Sequence, residues 1–369
     1  MSKAAELAKI GEVATNSQIG GRRNIIINGA MQVAQRGTSV TGIGAAAGYF
    51  TLDRWNISTA ASAGRLTMTQ TADGPNGVSA NCMKLDCTTA DASIAAGEYL
   101  VFQQKVEGQD LQSIGKGVAG AKEVTLSFYV KANAAFDFVC ELYDIDNGRT
   151  ISKLFSTTTD WARHEFTFPA DVDDGSSPFD DDNAASLELN FWLHGGSNFT
   201  GGTLNTTSWA NATNANRAAG IDSFYSSTDN NFFLTGVQME VGSIATNFEN
   251  RSFGEELKLC QRYYYFRGGG GAATILGNGG YMTGSQLDHV VNFPNDMRAA
   301  PALVQASGTN YYYGQTEAGI DYFNSFALYQ STIYSALIYS SGNASGTTGR
   351  YARIGVTGSS GSVAFNSEL

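Results

Sequence analysis

From residue 24 onward the chain repeats short runs in which apolar and polar side chains alternate. Val124, Leu126, Phe128 and Val130 fall on one side, with Thr125, Ser127 and Tyr129 on the other. That is the period of a strand with one face in a core. Phe136, Phe138, Cys140 and Leu142 form a second apolar row, and His164, Phe166 and Phe168 a third that stops at Pro169. The cleanest row is Leu187, Leu189, Phe191 and Leu193, with Glu188, Asn190, Trp192 and His194 opposite. Phe233, Val237, Met239 and Val241 close the set, while Ile25–Ile27, Trp55–Ile57 and Leu66–Met68 read as shorter strands. Strands with a single apolar face need a second sheet to cover them, so residues 24–250 are expected to form a jelly-roll β-sandwich. The polar intervals 71–98 and 195–230 read as surface excursions.

Two segments break this period. Leu7, Ile10 and Val13 stand three apart among alanines, which predicts a short helix within 1–14. Gly20 to Arg23 follows as a basic joint. Glu255 to Gln261 reads as a second helix with acids at its positive end. The expected division is therefore a docking helix and linker (1–23), the sandwich (24–250), a helical connector (251–264) and a small distal β-domain (265–369). The fold class is all-β with a short N-terminal helix.

Composition sharpens this reading. With 43 Gly and only 5 Pro in 369 residues, glycine turns between short strands are favoured over long helices. The net charge of −11 leaves no basic face for a nucleic acid, and no apolar run is long enough for membrane insertion. The four cysteines, Cys82, Cys87, Cys140 and Cys260, contain no CxxC pair and read as buried free thiols.

Residues 265–369 hold ten of the 17 tyrosines and no lysine. A tyrosine ring gives a flat face and a hydroxyl at little rotamer cost, which suits sugars, other polar ligands or a partner subunit. Tyr311, Tyr312, Tyr313 and Tyr322 are therefore candidate ligand contacts. In a strand the middle residue of Tyr311–Tyr313 would face away from its neighbours. Trp192 and Asn190 share a polar strand face, and Trp209 lies in a polar stretch as a more exposed candidate; Trp55 and Trp161 read as core. Asp171, Asp173 and Asp174 either solvate an acidic loop or clamp a structural calcium, though they lack the spacing of an EF-hand. No other cofactor is expected. Hydrolysis of a glycan needs two facing carboxylates, and nothing marks one pair among Glu141, Asp144, Asp146, Glu165 and Glu188. No GxSxG or P-loop sequence is present, so recognition rather than an enzymatic role is expected.

Several longer phrases carry a family likeness. They include Asn24-Ile-Ile-Ile-Asn-Gly-Ala-Met-Gln-Val-Ala-Gln-Arg-Gly37, Asp53-Arg54-Trp55, Leu234-Thr-Gly-Val-Gln-Met-Glu-Val-Gly242 and Phe293-Pro-Asn-Asp-Met-Arg-Ala-Ala-Pro301. The chain resembles bacteriophage tail-fibre or virion structural proteins. The resemblance implies a jelly roll similar to carbohydrate-binding modules and assembly as a homotrimer. It also implies attachment to other virion proteins through the N-terminal segment and adsorption to a host cell-surface glycan. A purely architectural virion component is the alternative, and a glycan depolymerase a lesser one.

Overall fold

The computed structural model describes residues 3, 22–172, 176–271, 273–341, 343–358 and 361–369. The helix expected within 1–14 lies, apart from Lys3, outside the described residues. The chain divides into two compact units between Glu256 and Leu257, with Leu369 belonging to the first.

Among the described residues the first unit contains twelve strands, all paired antiparallel. One sheet holds β1 (Ser39–Ile43), β3 (Arg65–Thr71), β4 (Cys82–Thr89), β12 (Asn231–Val241), β6 (Val124–Ala132) and β9 (Ala162–Phe168), in that order. The other holds β11 (Ala210–Asn211), β8 (Arg149–Ser156), β7 (Asp137–Asp144), β10 (Ala185–Gly195), β5 (Tyr99–Glu107) and β2 (Asn56–Ala60). The two sheets share one apolar core, so the unit is a β-sandwich of jelly-roll-like order. The rows Val124–Val130, Phe138–Leu142 and Leu187–Leu193 all point into it. Trp55 stacks on Phe102 at 4.7 Å between ring centres. Trp161, expected in the core, is instead half-buried, donates to the Asp73 carbonyl at 2.9 Å and lies under Lys131.

Two expectations fail for identifiable reasons. In β12 the residues in the apolar core are Phe232 and Leu234, then Val237 and Met239. A bulge between Thr235 and Gln238 inserts one residue and switches the inward-facing set. Gly236 sits in it at φ +60°, and a Cβ there would come within 2.9 Å of the Tyr129 ring. The interval 71–98 is not all excursion, because β4 pairs with β3 and β12 and buries Met83, Leu85 and Cys87. Its alternation is short, and flanking polar residues dilute it.

Ile25–Ile27 forms no strand. Residues 24–36 instead make an irregular buried plug held by asparagine side chains. Asn24 Oδ1 accepts from the amides of Ile26 and Met239, and Asn28 Oδ1 from those of Gln32 and Val33. The plug satisfies backbone groups that no ladder reaches.

Helix α1 (Phe253–Gln261) begins with reciprocal bonds. The Ser252 amide donates to the Glu255 carboxylate at 3.0 Å and the Glu255 amide to Ser252 Oγ at 3.3 Å. These bonds lower the pKa of the Glu255 carboxyl. No helix among the described residues is long and apolar enough to cross a membrane.

The second unit has a three-stranded sheet of β13 (Tyr264–Gly269), β22 (Ser362–Asn366) and β16 (Ala302–Ala306). Its seven-stranded sheet runs β18 (Gly319–Phe323), β17 (Tyr312–Thr316), β21 (Tyr351–Val356), β14 (Thr274–Thr283), β15 (Gln286–Asn292), β20 (Ser335–Ser341) and β19 (Ser325–Ser331). Leu276, Leu287, Tyr312, Phe326, Ile338 and Phe365 are among the buried side chains that join the two sheets. All four cysteines are buried and none is in a disulfide. Burial pushes the thiols of Cys82 and Cys87 up to about 11 and that of Cys140 higher still.

Candidate functional site

The site is built on the outward face of the sheet containing β10. Antiparallel register lays its residues out in cross-strand rows. Glu141 of β7, Asn190 of β10, Gln103 of β5 and Asn56 of β2 are successive partners. One row away stand Tyr143, Glu188 and Lys105, and on the other side Val139, Trp192, Val101 and Ser58.

The segment after β10 folds back over part of this face. It carries Phe199 on a single helical turn, Ser197–Thr200, and places Arg217 against the sheet. The Arg217 guanidinium donates to both oxygens of Glu141, Nε to Oε1 at 2.9 Å and Nη2 to Oε2 at 2.8 Å. It also lies over the rings of Tyr143 (4.6 Å) and Trp192 (5.0 Å). Glu141, fully buried, further accepts from Thr150 Oγ1 (2.8 Å), Asn190 Nδ2 (3.1 Å) and Trp192 Nε1 (2.9 Å). Five donors around one carboxylate hold the floor in a fixed geometry. Burial is the largest single influence and would lower the pKa of Arg217, but the charge and hydrogen bonds of Glu141, with Glu188 and Tyr143, together outweigh it and the net shift is upward.

Beside this cover an open groove of about 400 Å³ remains. Tyr99, Tyr143 and Phe199 give it part-exposed aromatic faces, while Gln103, Asn190 and Lys105 contribute polar groups. Asn190 donates its Nδ2 to Glu141 and Glu188, which fixes the amide orientation. Its Oδ1 is buried without a hydrogen-bond partner. A buried acceptor left open at a groove is a place for a ligand hydroxyl or a water. Both carboxylates here are engaged, Glu141 by Arg217 and Glu188 by Lys105 at 3.6 Å. Among the described residues the groove therefore offers no pair of free acids of the kind hydrolysis needs.

Neither a protein-family model nor a curated protein matches the chain. Among solved structures it is similar to a family 61 carbohydrate-binding module in complex with β-1,4-galactotriose, at 10% identity and a TM-score of 0.30, over 59% of this chain and 99% of that one. A family 4 module is 12% identical, with a TM-score of 0.29, over 58% and 97% of the two chains. A xylan-binding domain from Paenibacillus barcinonensis is 11% identical, with a TM-score of 0.28, over 61% and 100%. These likenesses are too distant to bear on the ligand, which rests on the groove itself.

The structure distributes the expected site residues unevenly. Asn190 lines the groove. Trp192 borders it but is only 2% exposed, packed against Tyr99 and Phe199 beneath Arg217, so it supports the site rather than offering a stacking face. Trp209, expected in an exposed loop, is 8% exposed; it packs in the sandwich core and donates to the Pro169 carbonyl at 2.9 Å. Its polar neighbours in sequence hid a long-range burial.

Asp171 is buried, and both its oxygens face Arg149 at 2.8 Å, with Lys116 at 3.6 Å. Its charge is already met by cations, which is at odds with a calcium clamp; Asp173 and Asp174 lie outside the described residues. Among the described residues no group of three His, Cys, Asp or Glu stands close enough to hold a metal ion.

The tyrosine row alternates as a strand requires. Tyr312 is fully buried between Phe323 and Phe326, and its hydroxyl donates to the Ala306 and Ser362 carbonyls. Burial pushes that hydroxyl up to about 12. It is a core residue, and the expectation that it meets a ligand is corrected. Tyr311 is partly buried against the same core. Tyr313 pairs across the ladder with Tyr322 on the opposite face, and Tyr322 is 43% exposed.

Sequence reading missed Tyr99, Gln103, Tyr143, Phe199 and Arg217, and named Glu141 only as one of five unmarked acids. Tyr99, Val101, Gln103 and Lys105 alternate within one run, which is a usable signal. Arg217 has none, because its place depends on the fold-back of an unpatterned loop.

Proposed function

We propose that the first unit binds a glycan in the groove on the outward face of the sheet containing β10. The observation that carries this reading is the pairing of aromatic faces with a rigid polar floor. Sugars present apolar C–H faces to rings and hydroxyls to amides, and Tyr99, Tyr143 and Phe199 beside Gln103 and Asn190 supply both. The fixed Glu141–Arg217 pair keeps the floor ordered before a ligand arrives, which reduces the cost of binding.

Calorimetric titration of the full chain with neutral oligosaccharides (xylohexaose, cellohexaose, galactotriose) tests this. Saturable binding to at least one is expected, weakened about tenfold, or ~1.4 kcal/mol, by Tyr99→Ala. Binding that ignores both Tyr99→Ala and Gln103→Ala, or no binding across the panel, would overturn it.

On the same reading the protein sits at a virion surface, joined to the particle through residues 1–23, present in three copies and serving adsorption to a host. Those parts rest on the phrases shared with tail-fibre proteins. Three linked copies would turn weak single contacts into useful avidity. Sedimentation of the full chain and labelling of particles are their checks, and a monomer or an unlabelled particle surface would count against them.

A further inference from the structure

The seven-stranded sheet is split at one place. The ladder between β14 and β15 runs from Thr283–Gln286 to Gly279–His289 and stops there. Both strands continue, β14 beside β21 as far as Thr274–Val356 and β15 beside β20 as far as Asn292–Ser335. They diverge where β14 is bulged between Ile275 and Gly277. Gly277 has φ +147°, and a Cβ on it would come within 2.7 Å of the His289 ring. Glycine at this position lets the ring occupy the fork.

Between the two strands lies a cavity of about 530 Å³. Residues 276–278 form one bank and 290–292 the other, with Tyr265 and Arg267 of β13 beside them and His289 at the apex. With β20 on one side of β15, the main-chain groups of 290–292 that face the slot have no ladder partner in β14.

Two side chains here have unmet chemistry. His289 is 3% exposed, and its Nδ1 lies 2.9 Å from the Asn278 carbonyl. A carbonyl only accepts, so Nδ1 carries the proton and the neutral ring presents a lone pair on Nε2. That atom is buried without a hydrogen-bond partner. Burial is the main influence keeping the ring neutral; the Asn278 carbonyl and, more weakly, the Leu276 carbonyl oppose it, and the Arg267 charge supports it. Arg267 is half-buried, donates to the Leu276 carbonyl and has no carboxylate partner among the described residues. Two exposed amides, Asn278 and Asn292, stand on opposite banks.

These demands select a ligand class. Arg267 calls for an anion, and a planar carboxylate suits its fork of donors. The lone pair of His289 calls for an O–H donor beside that anion. A sulfate or phosphomonoester dianion offers only acceptors and would meet the lone pair unfavourably, and inorganic phosphate, with at most its P–OH protons to give, has no array of hydroxyls for the flanking amides. A neutral sugar would leave the guanidinium without a counter-charge. A sugar acid carries a carboxylate and hydroxyls together. We propose that this slot is a second saccharide site, taking an acidic sugar with its carboxylate on Arg267, a neighbouring hydroxyl donating to His289 Nε2, and the two asparagines on the remaining hydroxyls. The site is independent of the groove in the first unit and chemically distinct from it.

The test uses the full chain and two matched pairs of probes: digalacturonate against α-1,4-galactobiose, and sialyllactose against lactose. Calorimetry should show the acidic member of at least one pair binding tenfold or more tightly than its neutral partner. Arg267→Gln should remove that preference. Asn292→Ala, at an exposed position unable to disturb the core, should weaken the acidic probe several-fold while the melting curve stays put. Tyr99→Ala should leave this binding untouched, which separates it from the first groove. Equal affinity within both pairs, absence of binding in both, insensitivity to Arg267→Gln and Asn292→Ala, or displacement by inorganic phosphate as effective as by the sugar acid would each overturn the proposal.

Discussion

The outward sheet faces of the two units differ sharply. In the first, polar and aromatic residues are covered by a returning loop and locked together, so that Asn190, Trp192 and Glu141 are all nearly inaccessible although none points into the sandwich core. In the second, Ile320, Tyr322, Tyr351 and Val290 stand open to solvent. The tyrosine-rich unit has the more conspicuous composition, yet these side chains of its outward face lie largely exposed. The first face has fewer aromatics, but Tyr143 and Trp192 are held under Arg217, and Tyr99 and Phe199 pack on Trp192. Abundance of ligand-friendly side chains and organisation of them are separate properties, and only the second makes a site.

The contrast can be broken most forcefully at Glu141. Replacing it with leucine leaves Arg217 buried against the sheet without its counter-charge and strands the donors of Thr150, Asn190 and Trp192. A loss of about 3 kcal/mol is expected, read by urea denaturation, since removing one partner of a buried pair is far costlier than the pair is worth. A loss below about 1 kcal/mol would show that the floor is not held in this way.

The next effect concerns pH and involves both units. Burial lowers the pKa of His164 and His194 in the first unit and of His289 in the second; hydrogen bonds, and Glu98 beside His194, oppose it only in part. A base with a depressed folded pKa takes up its proton more readily when unfolded. Stability is therefore complete above about pH 6.5 and falls as pH drops through that value toward the folded pKa. Denaturation midpoints at pH 7.5 and 5.5 should differ in that direction. His289→Gln should flatten the change in the second unit alone.

Much of the fold was legible because strict alternation survives in β6 and β10, where each apolar residue from Val124 to Val130 and from Leu187 to Leu193 reaches the core. Legibility failed where geometry interrupts the period. Gly236 shifts β12 by one residue, and in β4 the inward-facing Met83, Leu85 and Cys87 are too few to stand out between polar flanks. The polar face of β10 could be read from the same alternation, but its burial could not. That burial comes from Arg217, far along the chain in a loop without periodicity. Trp209 misled for the same reason, since a polar neighbourhood in sequence says little about what lies above a ring in space.

Smaller effects sharpen the comparison within the second unit. Tyr312→Phe removes a hydroxyl from two carbonyl acceptors in the core and should cost about 1 kcal/mol. Tyr329→Ala, at a position 70% exposed, should change stability by less than about 0.5 kcal/mol. If the exposed substitution proved as costly as the buried one, that face would have a partner after all.

The sequestered cysteines give the molecule a built-in clock. With the thiols of Cys82, Cys87 and Cys140 held protonated inside the sheets and Cys260 buried in its helix, a maleimide offered to the native protein should find almost nothing to attack. Modification must then wait for local opening. Cys82, Cys87 and Cys140 would time the breathing of the first unit, and Cys260 that of the second, with no label engineered into either.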